Sequence, residues 1–149
     1  MALRRTRVFV RGTGESPYAV RMEVGAHFLT GDEPLDAGGW DLGPAPFDLM
    51  TAALAECTAM TVRWYALQYD WPLEHVEVTV DHVKKLLAGA SEPVDVFDKT
   101  LILRGSRLSE DQRKRLLDIA TKCPIQRVLE GSPTIMTKSS TSLDEAFDN

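Results

Sequence analysis

An α+β fold is predicted, with antiparallel sheets packed around one long central helix and a second, amphipathic helix. Three observations lead there. Strand-like alternation is confined to two stretches, from Thr6 to Leu29 and from Val76 to Leu103; a long apolar run lies between them; a capped amphipathic segment follows the second. Runs of strands grouped apart from the helices argue against alternating βαβ units. The 149 residues contain nothing that reads as a linker, repeat or low-complexity tract, so residues 1–149 are taken as a single domain.

In the first stretch Val8, Val10, Tyr18, Val20, Met22 and Val24 alternate with polar residues, and Gly12-Thr13-Gly14-Glu15-Ser16-Pro17 supplies a turn. This predicts a hairpin, extended or repeated around Gly25. An irregular loop follows, marked by Asp32-Glu33-Pro34, Gly38-Gly39 and Gly43-Pro44-Ala45-Pro46. Pro46 and Asp48 suit a helix start, because a proline loses no hydrogen bond in the first turn and a carboxylate there meets the positive end of the helix dipole. Asp70-Trp71-Pro72 ends that helix. Leu49, Met50, Ala52, Ala53, Leu54, Ala55, Ala59, Met60 and Val62 cover most of its circumference, as expected of a helix at the centre of a fold or between two subunits.

Val76, Val78 and Val80, then Val94, Val96 and Thr100 to Leu103, predict two strands joined across Gly89–Pro93. Ser109 with Gln112 forms a capping-box pattern ahead of Leu116, Leu117, Ile119 and Ala120. Pro124 interrupts this second helix, a short turn is expected over Ile125–Leu129, and Thr134-Ile135-Met136 reads as a last short strand. The tail from Ser139 is polar, and residues 140–149 are expected to be flexible.

Composition excludes several functions. A net charge of −5, with basic residues scattered among acidic ones, offers no stripe to neutralise a phosphate backbone, so nucleic acid is not expected as a partner. The run from Phe47 to Tyr69 is long enough to cross a bilayer but carries Asp48, Glu56 and Arg63, each costly at membrane depth. Basic residues at the N-terminus lead into Thr6-Arg7-Val8 rather than a continuous apolar stretch, which argues against a signal peptide and for a cytosolic setting. Two cysteines in a reducing compartment are poorly explained as a structural staple. Their separation of 66 positions fits neither CxxC chemistry nor paired zinc knuckles, and His27, His75 and His82 lack the spacing of a ligand cluster.

A thiol attacks only as thiolate, and an unperturbed cysteine with a pKa of about 8.5 holds little of that form at neutral pH. Cys57 lies mid-helix, away from the positive helix end, so a cation from elsewhere would have to activate it; Arg11, Arg21 and Arg127 are candidates. On local sequence it reads more readily as a small buried hydrophobe of an Ala-rich helix. Cys123, between Lys122 and Pro124, stands where one helix breaks and a new turn starts, a place where backbone N–H groups can face the sulfur. Continuation of the Leu116/Ile119/Ala120 face explains it equally well.

Two motifs go further. Gly43-Pro44-Ala45-Pro46-Phe47-Asp48-Leu49-Met50 with Ala52-Ala53-Leu54-Ala55-Glu56-Cys57-Thr58-Ala59-Met60, and Lys122-Cys123-Pro124-Ile125-Gln126-Arg127-Val128-Leu129, resemble the two cysteine motifs of the OsmC/Ohr family. The segment Gly25-Ala26-His27-Phe28-Leu29 through Asp32-Glu33-Pro34 and Gly38-Gly39 resembles its OsmC-like branch, so similarity spans Tyr18 to Met136. The resemblance implies an intertwined homodimer with sites at the subunit interface. It implies a thiol peroxidase acting on organic hydroperoxides in oxidative-stress defence, with Cys57 attacking and Cys123 resolving. It also implies a dithiol reductant, such as a lipoylated protein, and no metal or organic cofactor.

Two departures stand out. Where the organic-hydroperoxide branch commonly has a glutamate after the motif's proline, this chain has Phe47, with Asp48 the nearest carboxylate; where branch members often carry histidine, it has Gln126. Asp48 either replaces the missing acid or simply favours the helix N-terminus, the second being the reading preferred here. Arg11 is the first choice for a supporting cation and Arg21 the second. Phe47, Met50 and Met60, with Trp40, suggest an apolar substrate pocket. A slow redox sensor or thiol-binding module, and a structural dimer with inert thiols, remain as alternatives.

Overall fold

The computed structural model describes residues 5–140. Strands β1 (Val8–Gly12), β2 (Val20–Val24) and β3 (His27–Gly31) form an antiparallel meander in the order β1-β2-β3. Val8 pairs with Val24 at one end and Gly12 with Val20 at the other, and β3 returns with His27 opposite Val24. The predicted repetition around Gly25 is a two-residue turn, and glycine fits it because φ there is +61°, a region costly for side-chain-bearing residues.

The loop into the central helix is tied down by a buried carboxylate. Asp32 Oδ1 accepts from the Ser16 hydroxyl at 2.7 Å and from the Glu33 N–H at 2.9 Å, while Oδ2 accepts from the Trp40 N–H at 3.0 Å and, more loosely, from Leu42. Burial raises this carboxyl's pKa, but the four hydrogen bonds outweigh that and leave it below the usual value. Backbone passes close by: a Cβ on Gly39 would sit 1.9 Å from the Glu33 carbonyl oxygen, so only glycine fits.

Helix α1 (Pro46–Gln68) begins at the predicted proline, and Asp48 accepts from the Ala45 N–H at 2.9 Å, satisfying an orphan donor ahead of the first turn. Its inward residues are Leu54, Thr58, Val62 and Ala66, spaced four apart on one stripe. Arg63, one of the charges that argued against a membrane span, donates to the carbonyls of Leu73 and Glu74. Among the described residues, no helix is long and apolar enough to cross a membrane.

Strands β4 (His75–Lys85) and β5 (Val94–Arg104) make a long antiparallel hairpin, in register from His75 opposite Arg104 to Lys85 opposite Val94. Along β4 the half-buried residues Val76, Val78 and Val80 alternate with exposed Glu77, Thr79 and Asp81, and the strand packs against α1. Helix α2 (Glu110–Ala120) starts on the predicted capping box, with the Ser109 Oγ accepting from Gln112 N–H at 3.2 Å and the Gln112 Oε1 accepting from Ser109 N–H at 2.9 Å. Val62 and Ala66 of α1, Leu116 and Ala120 of α2, and Leu73 and Leu108 form the core, flanked by Tyr65, Trp71, Leu101 and Leu103. After Cys123 the chain turns into α3 (Pro124–Glu130), a full short helix where a turn was expected.

The α+β architecture is thus as predicted, with one correction. Thr134–Met136 forms no strand: no ladder partner pairs with it among the described residues, and Ile135 and Met136 are 85% and 90% exposed. From residue 141 the expected flexible tail lies outside the described residues.

Candidate active site at two thiols

Cys57 and Thr58 are neighbours on α1, and helical geometry turns them to adjacent faces. Thr58 points inward and is fully buried; Cys57 sits one step round the helix, half-buried, on the wall of a cavity of about 580 Å³. Met60 and Trp64 from α1, with Pro124 and Ile125 from α3, give that cavity a mostly apolar lining, and Glu56 and Lys122 bring the charge.

The α2/α3 break delivers Cys123. As N-cap of α3 it has extended backbone (φ −63°, ψ 144°), and its Sγ accepts from the Gln126 N–H at 3.4 Å, standing where a serine or aspartate oxygen usually stands. The side chain is fully buried. The Thr58 hydroxyl lies 3.5 Å from the same sulfur, and the Cys57 S–H donates to it. Residues 66 positions apart therefore share one site.

The two sulfurs have opposite electrostatics. Burial pushes Cys57 up; the Ile125 N–H and Thr61 pull the other way, but the neighbouring Cys123 adds to burial, and the thiol ends above its ordinary value. Burial also pushes Cys123 up, but Thr58, the Gln126 N–H, Cys57 and the charge of Lys99 together bring it below. Lys99, on β5, reaches in to hydrogen-bond Thr58 Oγ1 at 3.1 Å, the Ala120 carbonyl at 2.7 Å and Gln126 Oε1 at 2.7 Å. Gln126 spans the arrangement, since its Nε2 donates to Glu130 at 2.7 Å.

The family model described as OsmC-like protein matches residues 38–138, more than half of the chain. The chain belongs to the OsmC-like family. The resemblance read from its two cysteine motifs is thereby confirmed. Solved structures agree at the level of fold. An organic hydroperoxide resistance protein OsmC from Legionella pneumophila, described as a predicted redox protein, is 22% identical with a TM-score of 0.64, covering 88% of this chain and 93% of the other. The organic hydroperoxide resistance protein OhrB of Bacillus subtilis is 21% identical with a TM-score of 0.57, over 87% and 93%. An OsmC-like protein from Mycoplasma pneumoniae is 17% identical with a TM-score of 0.68, over 86% and 89%. No curated protein sequence matches the chain closely enough to count as a relative.

Within this OsmC-like chain the expected supporting residues are spread out. Arg11 approaches Glu23 at 3.9 Å on the meander, and Arg21 lies over the Phe28 ring at 4.4 Å. Arg127 is exposed in the last turn of α3. Asp48 is engaged at the start of α1. Phe47 stacks flat on His82, with ring centroids 4.7 Å apart, in a separate hollow; Met50 lines a third cavity, of about 600 Å³, beside Lys99; Met60 alone of the three shares the cavity of Cys57. Trp40 is exposed, its backbone held by Asp32.

Sequence reasoning missed Lys99 and Thr58, and met Gln126 only as a departure. A signal for Lys99 existed. It is half-buried in phase with Leu101 and Leu103, the inward residues of β5, and a lysine in that alternation has to find acceptors inside the protein.

Proposed function

We propose that the protein is a thiol-dependent peroxidase that reduces small apolar organic hydroperoxides in oxidative-stress defence, in the cytoplasm. The observation that supports it most is the meeting of the two cysteines, with the more accessible one on an apolar cavity and the other fully buried behind it. Access makes Cys57 the attacking sulfur. Its thiolate takes the distal peroxide oxygen, the O–O bond breaks, the alcohol leaves after protonation, and Cys57 becomes a sulfenic acid. Cys123 then attacks that sulfur, closing a disulfide and releasing the oxygen as water; an external dithiol, such as a lipoylated protein, reopens the bond by exchange. Membership of the family and the names of the Legionella and Bacillus proteins support this direction.

The functional unit in this reading is a homodimer with its sites at the subunit interface. Met60, Trp64 and Leu67 are each about three-fifths exposed on the outward side of α1, an apolar surface suited to a second copy, whose arrival would also change what surrounds Cys57.

A second reading is favoured by the surroundings of Cys57: it is half-buried on an apolar cavity beside a second sulfur, and burial first, with Cys123 adding to it, pushes the thiol up, so the chain alone does not activate it. A redox sensor with slow turnover fits that. One experiment separates the readings. Reduced protein is treated with one equivalent of cumene hydroperoxide and digested without reductant; a Cys57–Cys123 disulfide is expected, and free thiols would exclude both readings. Steady-state turnover with dihydrolipoamide then identifies the enzyme, and Cys57→Ser should abolish it.

A further inference from the structure

Lys99 belongs to none of the motifs that carry the family resemblance, yet its ammonium is held on every side. Its Nζ has three acceptors at hydrogen-bond distance, Thr58 Oγ1, Ala120 O and Gln126 Oε1. Three acceptors call for three N–H donors, which an ammonium supplies and a neutral amine does not. The positive charge is therefore built into the site, although burial alone would favour its loss.

That charge reaches Cys123 through Thr58. The hydroxyl has a single hydrogen and two acceptors to choose from, the Leu54 carbonyl at 2.8 Å and Cys123 Sγ at 3.5 Å, while its oxygen accepts from Lys99. With the thiol protonated, the hydrogen stays on Leu54; with a thiolate, it is drawn to the sulfur, and the Lys99 bond to the oxygen strengthens it as a donor. Other charged or titratable groups near the pair are Cys57 on α1, whose thiol donates to the same sulfur, Glu130 on α3, which acts on Lys99, and Glu56 and Lys122 on the outer side around Cys57. The charge of Lys99 is among the causes that lower Cys123.

We infer that Lys99, acting through the Thr58 hydroxyl, is a positioning residue that holds Cys123 ready as a thiolate for the resolving step. The inference rests on the peroxidase reading for the word resolving, but not for the acidity itself. In that step the Cys123 thiolate donates an electron pair to the Cys57 sulfur, the S–S bond forms, the Cys57 S–O bond breaks, and hydroxide leaves to take a proton from solvent. The oxidising equivalent is the hydroperoxide already reduced at Cys57. Since no proton must be removed from Cys123 first, the sulfenic acid is short-lived and protected from further oxidation.

The test follows the Cβ chemical shifts of isotopically labelled cysteine in the reduced, full-length protein as pH is raised, so that Cys57 and Cys123 titrate separately and no peroxide is involved. Lys99→Met should raise the Cys123 midpoint by about one to two pH units, within the range for loss of a close opposite charge, each unit being a tenfold shift of the thiol–thiolate equilibrium toward the thiol. Lys99→Arg, which keeps the charge, should restore most of it. Thr58→Val should raise the midpoint with Lys99 present, and Thr58→Ser should not. If Lys99→Met does not fold, the Thr58 pair decides the matter. The inference fails if Lys99→Met leaves the midpoint where it is, if Lys99→Met and Lys99→Arg raise it equally, or if the two Thr58 variants behave alike. Absence of a disulfide in the peroxide experiment on the native protein would instead remove the peroxidase reading and leave these midpoints untouched.

Discussion

The two faces of α1 follow different physics, although they share 23 residues of one helix. The inward stripe, Leu54, Thr58, Val62 and Ala66, is closed: each side chain is buried, and Thr58, its one polar member, is hydrogen-bonded. The outward side carries Met60, Trp64 and Leu67 well exposed, with Cys57 on the border between them. A helix that is apolar on nearly every side has to bury the second face as well, and a single chain covers only the first. The two thiols diverge for this reason. Cys123 is reached from the finished face, where N–H groups, a hydroxyl and an ammonium have been gathered; Cys57 looks toward the unfinished one, where apolar surroundings and a neighbouring sulfur keep it protonated.

The sharpest way to break this contrast is to cut into the closed face. Leu116 is fully buried in α2 against Val62 and Ala66. Leu116→Ala should cost about 2–5 kcal/mol, the transfer free energy of the lost atoms together with the cavity they leave. Chemical denaturation followed by circular dichroism measures it. The same change at Leu67, 65% exposed on the outward face, should fall within about 0.5 kcal/mol when measured on the monomeric chain. Equal costs would mean that the two faces are not different environments.

A second copy should complete the outward face. Trp64 is 59% exposed there and has the size and shape of an interface anchor. Trp64→Glu should weaken self-association by at least about thirtyfold, the consequence of about 2 kcal/mol at a central aromatic, read by sedimentation velocity across a concentration series. Retention of a native-strength dimer would place the interface elsewhere.

The same division explains what the sequence made legible. Elements carried by local rules were visible: Pro46 and Asp48 open α1 where expected, Ser109 and Gln112 cap α2, and alternation fixes β4 and β5. The cysteine pair was visible too, through motifs rather than physics. What stayed hidden depends on tertiary approach. Lys99 lies 41 positions from Thr58 and meets it only because the β4–β5 hairpin folds onto α1. Asp32 looked like a turn former, and its role as a buried acceptor for four donors needs the whole loop in place. Thr134–Met136 alternates like a strand, but alternation supplies no partner edge, and among the described residues the segment has none.

At the sulfurs themselves the two faces should differ least in energy, but with opposite signs of stability against pH. Cys123 has a lowered folded-state pKa, so between that value and the unfolded value of about 8.5 the unfolded chain binds more protons than the folded one, and stability rises with pH. The contribution is fully present above about 8.5 and is lost as pH falls through the folded value. Cys57 has a raised pKa, so its contribution is present below about 8.5 and is lost as pH rises through its folded value. Replacing each cysteine by serine in turn and recording denaturation midpoints from neutral to mildly alkaline pH should therefore give two slopes of opposite sign. The protein that retains Cys123 should gain stability as pH approaches 8.5, and the one that retains Cys57 should lose it above that point. Parallel slopes would mean that the two faces of α1 hold their thiols in equivalent surroundings.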